Sequence, residues 1–101
     1  MKTFQMCQKF GVVCGDGTLA LSFLHAEILP ALNAGEKIQF DFEGVRVLNS
    51  SFSNAFFGNL LKLNGKSVLA NIAINHACPL VKAEIKSGIS YGVKHAIHVA
   101  A

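Results

Sequence analysis

Asn49, Ser50, Ser51 and Ser53 stand together where an apolar run, from Phe52 to Leu63, is about to begin. Small polar side chains at such a place can do three things. An Asn or Ser oxygen can accept one of the orphan backbone N–H groups of a helix's first turn, so Asn49 or Ser51 is a candidate cap. The same N–H groups and the helix dipole can bind a phosphate. A serine hydroxyl can also accept a phosphoryl group, which would add up to about two negative charges to an apolar neighbourhood and weaken a docked partner. Capping is the commonest of the three. Ser51, Ser50 and Asn49 are therefore read as helix cap or phosphoacceptor.

Other reactive side chains form weaker patterns. Asp41 and Glu43, with Asp16 elsewhere, are read as loop acids. Two carboxylates near a serine can hold a divalent ion, but an Asp-x-Glu pair fixes no distance, and no metal is expected. His76 and Cys78 could act as base and nucleophile only if an extended segment turned them the same way, and no orienting partner is evident. His95 and His98 would point to opposite faces of a strand. Gly11, Gly15 and Gly17 lack both the Lys-Ser/Thr of a phosphate loop and the order of a dinucleotide-binding fingerprint. No enzyme signature and no cofactor follow from these residues.

The elements that must position the serines are legible in part. Ile38, Phe40 and Phe42 alternate with Gln39 and Asp41, which predicts a strand over 37–42 with one apolar face. Val45 to Leu48 continues apolar toward the serines. The helix that follows presents Phe52, Phe56, Leu60 and Leu63 on one stripe, with Phe57 and Leu61 on a neighbouring one, before Asn64-Gly65. Upstream, Phe4, Met6 and Gln8 fit a short alternating strand. Phe10 to Cys14 reads as a second, the two forming a hairpin or one bent edge strand. Gly15-Asp16-Gly17 is a turn. Thr18 is a candidate cap for a helix carrying Leu21, Leu24, Ile28 and Leu32, with Leu19 and Phe23 alongside, kinked or ended by Pro30 and stopped by Gly35. Downstream, Ser67 to Ile74 reads as a strand covered on both faces. Pro79 suits the first turn of a helix that Gly88 could end, and Val93 to Val99 reads as a last strand. No internal repeat or linker is visible.

Length and composition bound the rest. The 101 residues fit one domain spanning 1–101. Hydrophobic residues make up 51% and charged ones 15%, which suits a packed core and argues against disorder. The net charge of +3 is uneven: residues 62–101 hold five lysines (62, 66, 82, 86 and 94) against Glu84. That excess could attract anions or nucleic acid. Arg46 is the sole arginine and aromatics do not interleave with the lysines, so nucleic acid is disfavoured. The three cysteines, 7, 14 and 78, have neither disulfide nor zinc spacing, so reduced thiols and a cytoplasmic location are expected. No signal peptide and no membrane span are read in the chain.

The alternation of strand and helix implies an α/β fold with a largely parallel sheet, and sites in such sheets gather at the carboxyl ends of strands. Phe40-Asp41-Phe42-Glu43-Gly44-Val45, then Ser51-Phe52, then Phe57-Gly58, with Gly35 and Ile38 leading in, resemble a small bacterial family of STAS-like domains of unknown function. STAS names the domain shared by sulfate transporters and anti-sigma-factor antagonists. The resemblance is good over about 35–64 and diffuse elsewhere. It implies a STAS-like sandwich, with a mixed, mostly parallel sheet of four to five strands and about three helices. In anti-sigma antagonists an Asp-Ser-Ser-Gly-like segment carries a serine phosphorylated by a kinase of the histidine-kinase-like ATPase fold. Asn49-Ser50-Ser51-Phe52 corresponds to that segment, and Ser51 matches the acceptor. Asn49 replaces the usual Asp, Phe52 replaces Gly, and Asn54-Ala55 stand where relatives often have Asp-Glu. The implied function is a non-enzymatic regulatory or protein-interaction module acting with a kinase-like ATPase. Phe57, Leu61 and Phe52 are the expected interface with a partner or a second copy, because the helix carries more apolar surface than one buried face needs.

Overall fold

The computed structural model describes residues 1–96. The chain runs through β1 (Lys2–Gln5), a short helix α1 (Met6–Phe10), β2 (Val13–Cys14), helix α2 (17–33), β3 (Ile38–Asp41), β4 (Val47–Leu48), helix α3 (50–64), a 3-10 segment (Lys66–Asn71), β5 (Ile72–Asn75) and helix α4 (Pro79–Lys94). The α/β class and the parallel strands are as expected. The five strands of the described residues are divided between two small sheets, β1-β3-β5 and β2-β4, and their pairings there are all parallel.

The architecture contains a repeat that the sequence hides. β1–β2–α2 and β3–β4–α3 are two strand–strand–helix units lying side by side. Lys2 stands opposite Ile38 and Val13 opposite Val47. Each helix follows its second strand after a capping residue, Asp16 or Asn49. Each also widens into a π turn, at Leu24–Ile28 and Asn54–Gly58. In α2 the π turn comes just before Pro30. The N–H of Leu29 donates to the carbonyl of Leu24, five residues back, and the helix continues to Asn33 rather than stopping.

Phenylalanine fills the space between sheet and helices. On β1 and β3, Phe4 and Phe40 face the helices, where Phe4 meets Phe23 of α2 at 5.2 Å and Phe40 meets Phe56 of α3 at the same distance. All eight phenylalanines join one aromatic network, closed by contacts such as Phe10–Phe52 at 4.9 Å and Phe42–Phe57 at 6.3 Å. Edge-to-face and offset pairs of this kind add about 0.5–1.5 kcal/mol each beyond area burial. Helix α4 packs on the far side of α3 through Val81, Ile85, Gly88 and Gly92. The opposite face of the larger sheet, with Thr3, Gln5, Gln39, Ala73 and Asn75, stays exposed or half-exposed.

Several local expectations are corrected. Met6 to Phe10 is helical, so the N-terminal stretches form neither a hairpin nor one bent strand; β2 pairs with β4. Asp16, not Thr18, caps α2. Leu19 and Leu21 are exposed, and Ala20, Phe23, Leu24, Ile28 and Ala31 form its buried side. Residues 66–71 coil as a 3-10 segment, and only Ile72–Asn75 is strand, half-buried rather than covered on both faces. Gly88 does not end α4, which continues to Lys94. Val93 and Lys94 therefore belong to a helix, while positions 97–99 of the expected last strand lie outside the described residues, as does His98.

Candidate functional site

The parallel pairing of β2 with β4 brings the starts of α2 and α3 together. Asn49 ties the corner: its N–H donates to the Cys14 carbonyl at 3.1 Å, and its Nδ2 donates to the Gly15 carbonyl at 3.2 Å. Its Oδ1 accepts the Phe52 N–H at 2.9 Å. Asn49 is thus the cap of α3, and the cap role does not fall to Ser51. Asp16 does the same for α2, accepting the N–H groups of Thr18 and Leu19 at 2.9 and 3.2 Å. Ser50 and Ser51 are exposed on the first turn of α3. An open cleft beside them is lined by Gly15, Asp16, Thr18, Leu21, Ser51 and Ala55. The approach is close: a Cβ on Gly17 would lie 3.0 Å from both the Ser51 carbonyl and its Oγ. A phosphate on Ser51 would sit near two helix N-termini, which favour it, and in the same cleft as the Asp16 carboxylate, which does not. Ser53 points the other way. It is buried, and its Oγ donates to the Glu84 carbonyl, pinning α3 to α4.

Phe52, Phe57 and Leu61 do not form a surface. Phe52 is 1% exposed, and Phe57 and Leu61 are wholly buried. Helix α3 packs both on the sheet, where Phe57 meets Phe40 at 6.0 Å, and against α4, whose Gly92 closes over Leu61. The second apolar stripe serves the second packing face. The exposed apolar side chains lie elsewhere. Val13 and Val47, opposite each other in β2 and β4, are 57% and 46% exposed, and Leu80 at the start of α4 is 75% exposed. Val47 and Leu80 line one shallow groove with Arg46 and Ala83. Val47 lies on the strand that leads into the serine corner, two residues before Asn49. A two-residue strand gives too short an alternation for periodicity to find it.

A second polar cluster forms at the carboxyl ends of the larger sheet. The register sets Gln5, Asp41 and Asn75 in one row, and His76 follows with a left-handed backbone (φ +57°). Asp41 is the last residue of β3 and is buried, so it is not a loop acid; Glu43 is exposed in the following turn. Asp41 Oδ1 accepts the Glu43 N–H at 2.9 Å and lies 3.0 Å from His76 Nδ1. The backbone hydrogen bond from Glu43 holds the Asp41 pKa below the usual carboxylate value. Burial opposes this, and the hydrogen bond and charge of His76 and a hydrogen bond from Gln5 support it. A depressed folded-state pKa stabilises the fold above the unfolded carboxylate value, and that contribution is lost as pH falls through the folded value. Thermal unfolding followed from pH 7 to pH 3 should therefore show a steeper loss of Tm in the wild type than in Asp41→Asn. Parallel curves would contradict the pairing.

His76 thus has the orienting partner that sequence spacing, at 35 residues' separation, could not reveal. Cys78 Sγ lies by the backbone carbonyls of Arg46 and Val45, at 3.9 and 4.0 Å. Cys14 is buried, and that burial, with the charge of Cys7 second, pushes its pKa up to about 11, so it is a thiol at neutral pH. Among the lysines of the second half, Lys82 and Lys86 border an apolar groove of Ile74, Ile85 and Ile89.

No helix among the described residues is long and apolar enough to cross a membrane. No match is found among curated proteins or among solved structures. Residues 23–79 match the model of a family described as a STAS-like domain of unknown function, and the match takes in most of α2, β3, the serine corner, α3 and β5. That span is more than half of the chain, and the chain belongs to this STAS-like family.

Proposed function

We propose that the protein is a non-enzymatic regulatory module that docks a protein partner through Val13, Val47 and Leu80, with Ser51 as the switch beside the docking patch. The observation that carries this reading is that the exposed Val47 lies on β4, the strand that leads directly into the exposed serine pair at the start of α3, with the exposed Val13 opposite it. A phosphoryl group on Ser51 would set about two negative charges in the cleft with Asp16, on the turn that follows Val47 in the chain. Docking would weaken by like-charge repulsion and by the desolvation of the phosphate. The partner expected from the family resemblance is a kinase of the histidine-kinase-like ATPase fold, which would both bind the patch and modify the serine. Anion or nucleic-acid binding through the second-half lysines is the weaker alternative. Lys82 and Lys86 flank isoleucines instead of forming a track for a phosphate backbone.

The test combines capture with mass analysis. Wild-type protein immobilised in extract of its native cell is expected to retain an ATPase, and Val47→Asp should reduce that retention about tenfold or more, equivalent to about 1.4 kcal/mol. Because Val47 is half exposed, the variant should unfold at close to the wild-type temperature. Incubation with the captured kinase and ATP should add one phosphate to the wild type and none to Ser51→Ala. Retention unchanged in a folded Val47→Asp variant would refute the docking surface, and an unmodified Ser51 would refute the switch.

A further inference from the structure

Asp41, Glu43 and His76 have a chemistry that the switch reading leaves unused. We infer that the three side chains form a binding site for a first-row divalent metal ion at the carboxyl ends of the parallel strands. One ligand atom from each lies within 4.8 Å of the others. An ion with bonds of about 2.0–2.2 Å holds its ligands no more than about 4.4 Å apart. A small rotation of the exposed Glu43 side chain closes that difference. The 3.0 Å between Asp41 Oδ1 and His76 Nδ1 matches the spacing of two adjacent ligands on such an ion. The set also has the graded freedom of a binding site. Asp41 is fixed and buried at the end of the central strand, while His76 and Glu43 reach it from two different turns and remain open to solvent.

The donor types select the ion. Two carboxylates alone would suit calcium or magnesium, but an imidazole nitrogen shifts preference to manganese, cobalt or zinc. Gln5, which hydrogen-bonds Asp41, would fix the carboxylate's orientation, as groups around metal ligands commonly do. Water would complete the coordination on the open side. The consequence is mechanical. His76 lies in the connection from β5 to α4, and Glu43 lies in the connection from β3 to β4. A bound ion would clamp these two turns together, and Val47 and Leu80 follow them by four residues each.

The test uses Co²⁺ with the tag-free, chelator-treated, reduced full chain. The expected result is one Co²⁺ per chain, with visible ligand-field bands and no strong thiolate-to-cobalt absorption, and a higher unfolding temperature with the ion than without. His76→Ala removes an exposed imidazole and Glu43→Gln neutralises an exposed carboxylate, and both should keep the fold in metal-free buffer. Each should weaken Co²⁺ binding about tenfold or more, while Cys78→Ser leaves it unchanged. No binding up to about 1 mM, a Kd equivalent to about 4.1 kcal/mol, would overturn the proposal. So would binding that survives His76→Ala, or that carries a thiolate band.

Discussion

Phe57→Ala is expected to destabilise the protein by about 3–5 kcal/mol, a large share of the about 5–15 kcal/mol that a domain has in total. Its ring has no exposed surface. It meets Phe56 at 4.9 Å edge to face, Phe40 at 6.0 Å and Phe42 at 6.3 Å, so truncation removes a branch point of the aromatic network as well as buried area. The cavity would be walled by β3 on one side and α3 on the other, neither of which can move inward without disturbing the other's contacts. Phe57→Asp is more severe, because it leaves an unpaired carboxylate in the same place. Urea unfolding followed by circular dichroism measures the first, and soluble yield reports the second. A Phe57→Asp variant that folds and loses only association would return this residue to the surface. Val47→Asp is the matched control: the same charge on a half-exposed side chain of β4, with little expected change in stability.

The misplacement of Phe57 in sequence reasoning shows what periodicity can and cannot carry. An apolar stripe wider than one face has two readings, a helix buried on both sides or a helix with a docking surface, and both give Phe52, Phe56, Phe57, Leu60 and Leu61 the same spacing. Only the position of α4 separates them. The central strand was legible because Ile38, Phe40 and Phe42 alternate cleanly, and so was capping at the serine cluster, since Asn49 is of a type and in a place that caps. Met6 to Phe10 was not, because a five-residue helix is too short to display a period and Phe4, Met6 and Gln8 mimic a strand. The strand–strand–helix repeat is a matter of pairing register and cap position, with little shared identity between the halves. The Asp41–His76 contact depends on the order of strands in the sheet. No local pattern encodes that order.

The glycines of α4 illustrate the same limit and carry the second large effect. In a sequence, Gly88 and Gly92 weaken a helix, and each replaced by alanine should stabilise it by about 1 kcal/mol. The packing reverses the sign. A Cβ on Gly88 would lie 2.7 Å from the Ser53 carbonyl oxygen and closer still to its Oγ. A Cβ on Gly92 would lie 2.7 Å from Leu61 Cβ and press on the carbonyl of Gly58. Most of these neighbours are backbone or the first atom of a side chain, so no rotamer change relieves them. Helix α4 would have to withdraw from α3, and the Ser53–Glu84 hydrogen bond would lengthen with it. Overpacking of this kind costs about 1–3 kcal/mol per site, occasionally more, and at these separations it outweighs the propensity gain. Gly88→Ala and Gly92→Ala together should therefore lower the urea midpoint, by an amount equivalent to about 2–6 kcal/mol of overpacking less about 2 kcal/mol of propensity gain. Ser87→Ala and Ser90→Ala, on the exposed side of the same helix, should leave it unchanged or raise it slightly. If the glycine pair also raised the midpoint, α4 would not lie against α3, and the burial of Leu61 would have to be explained another way.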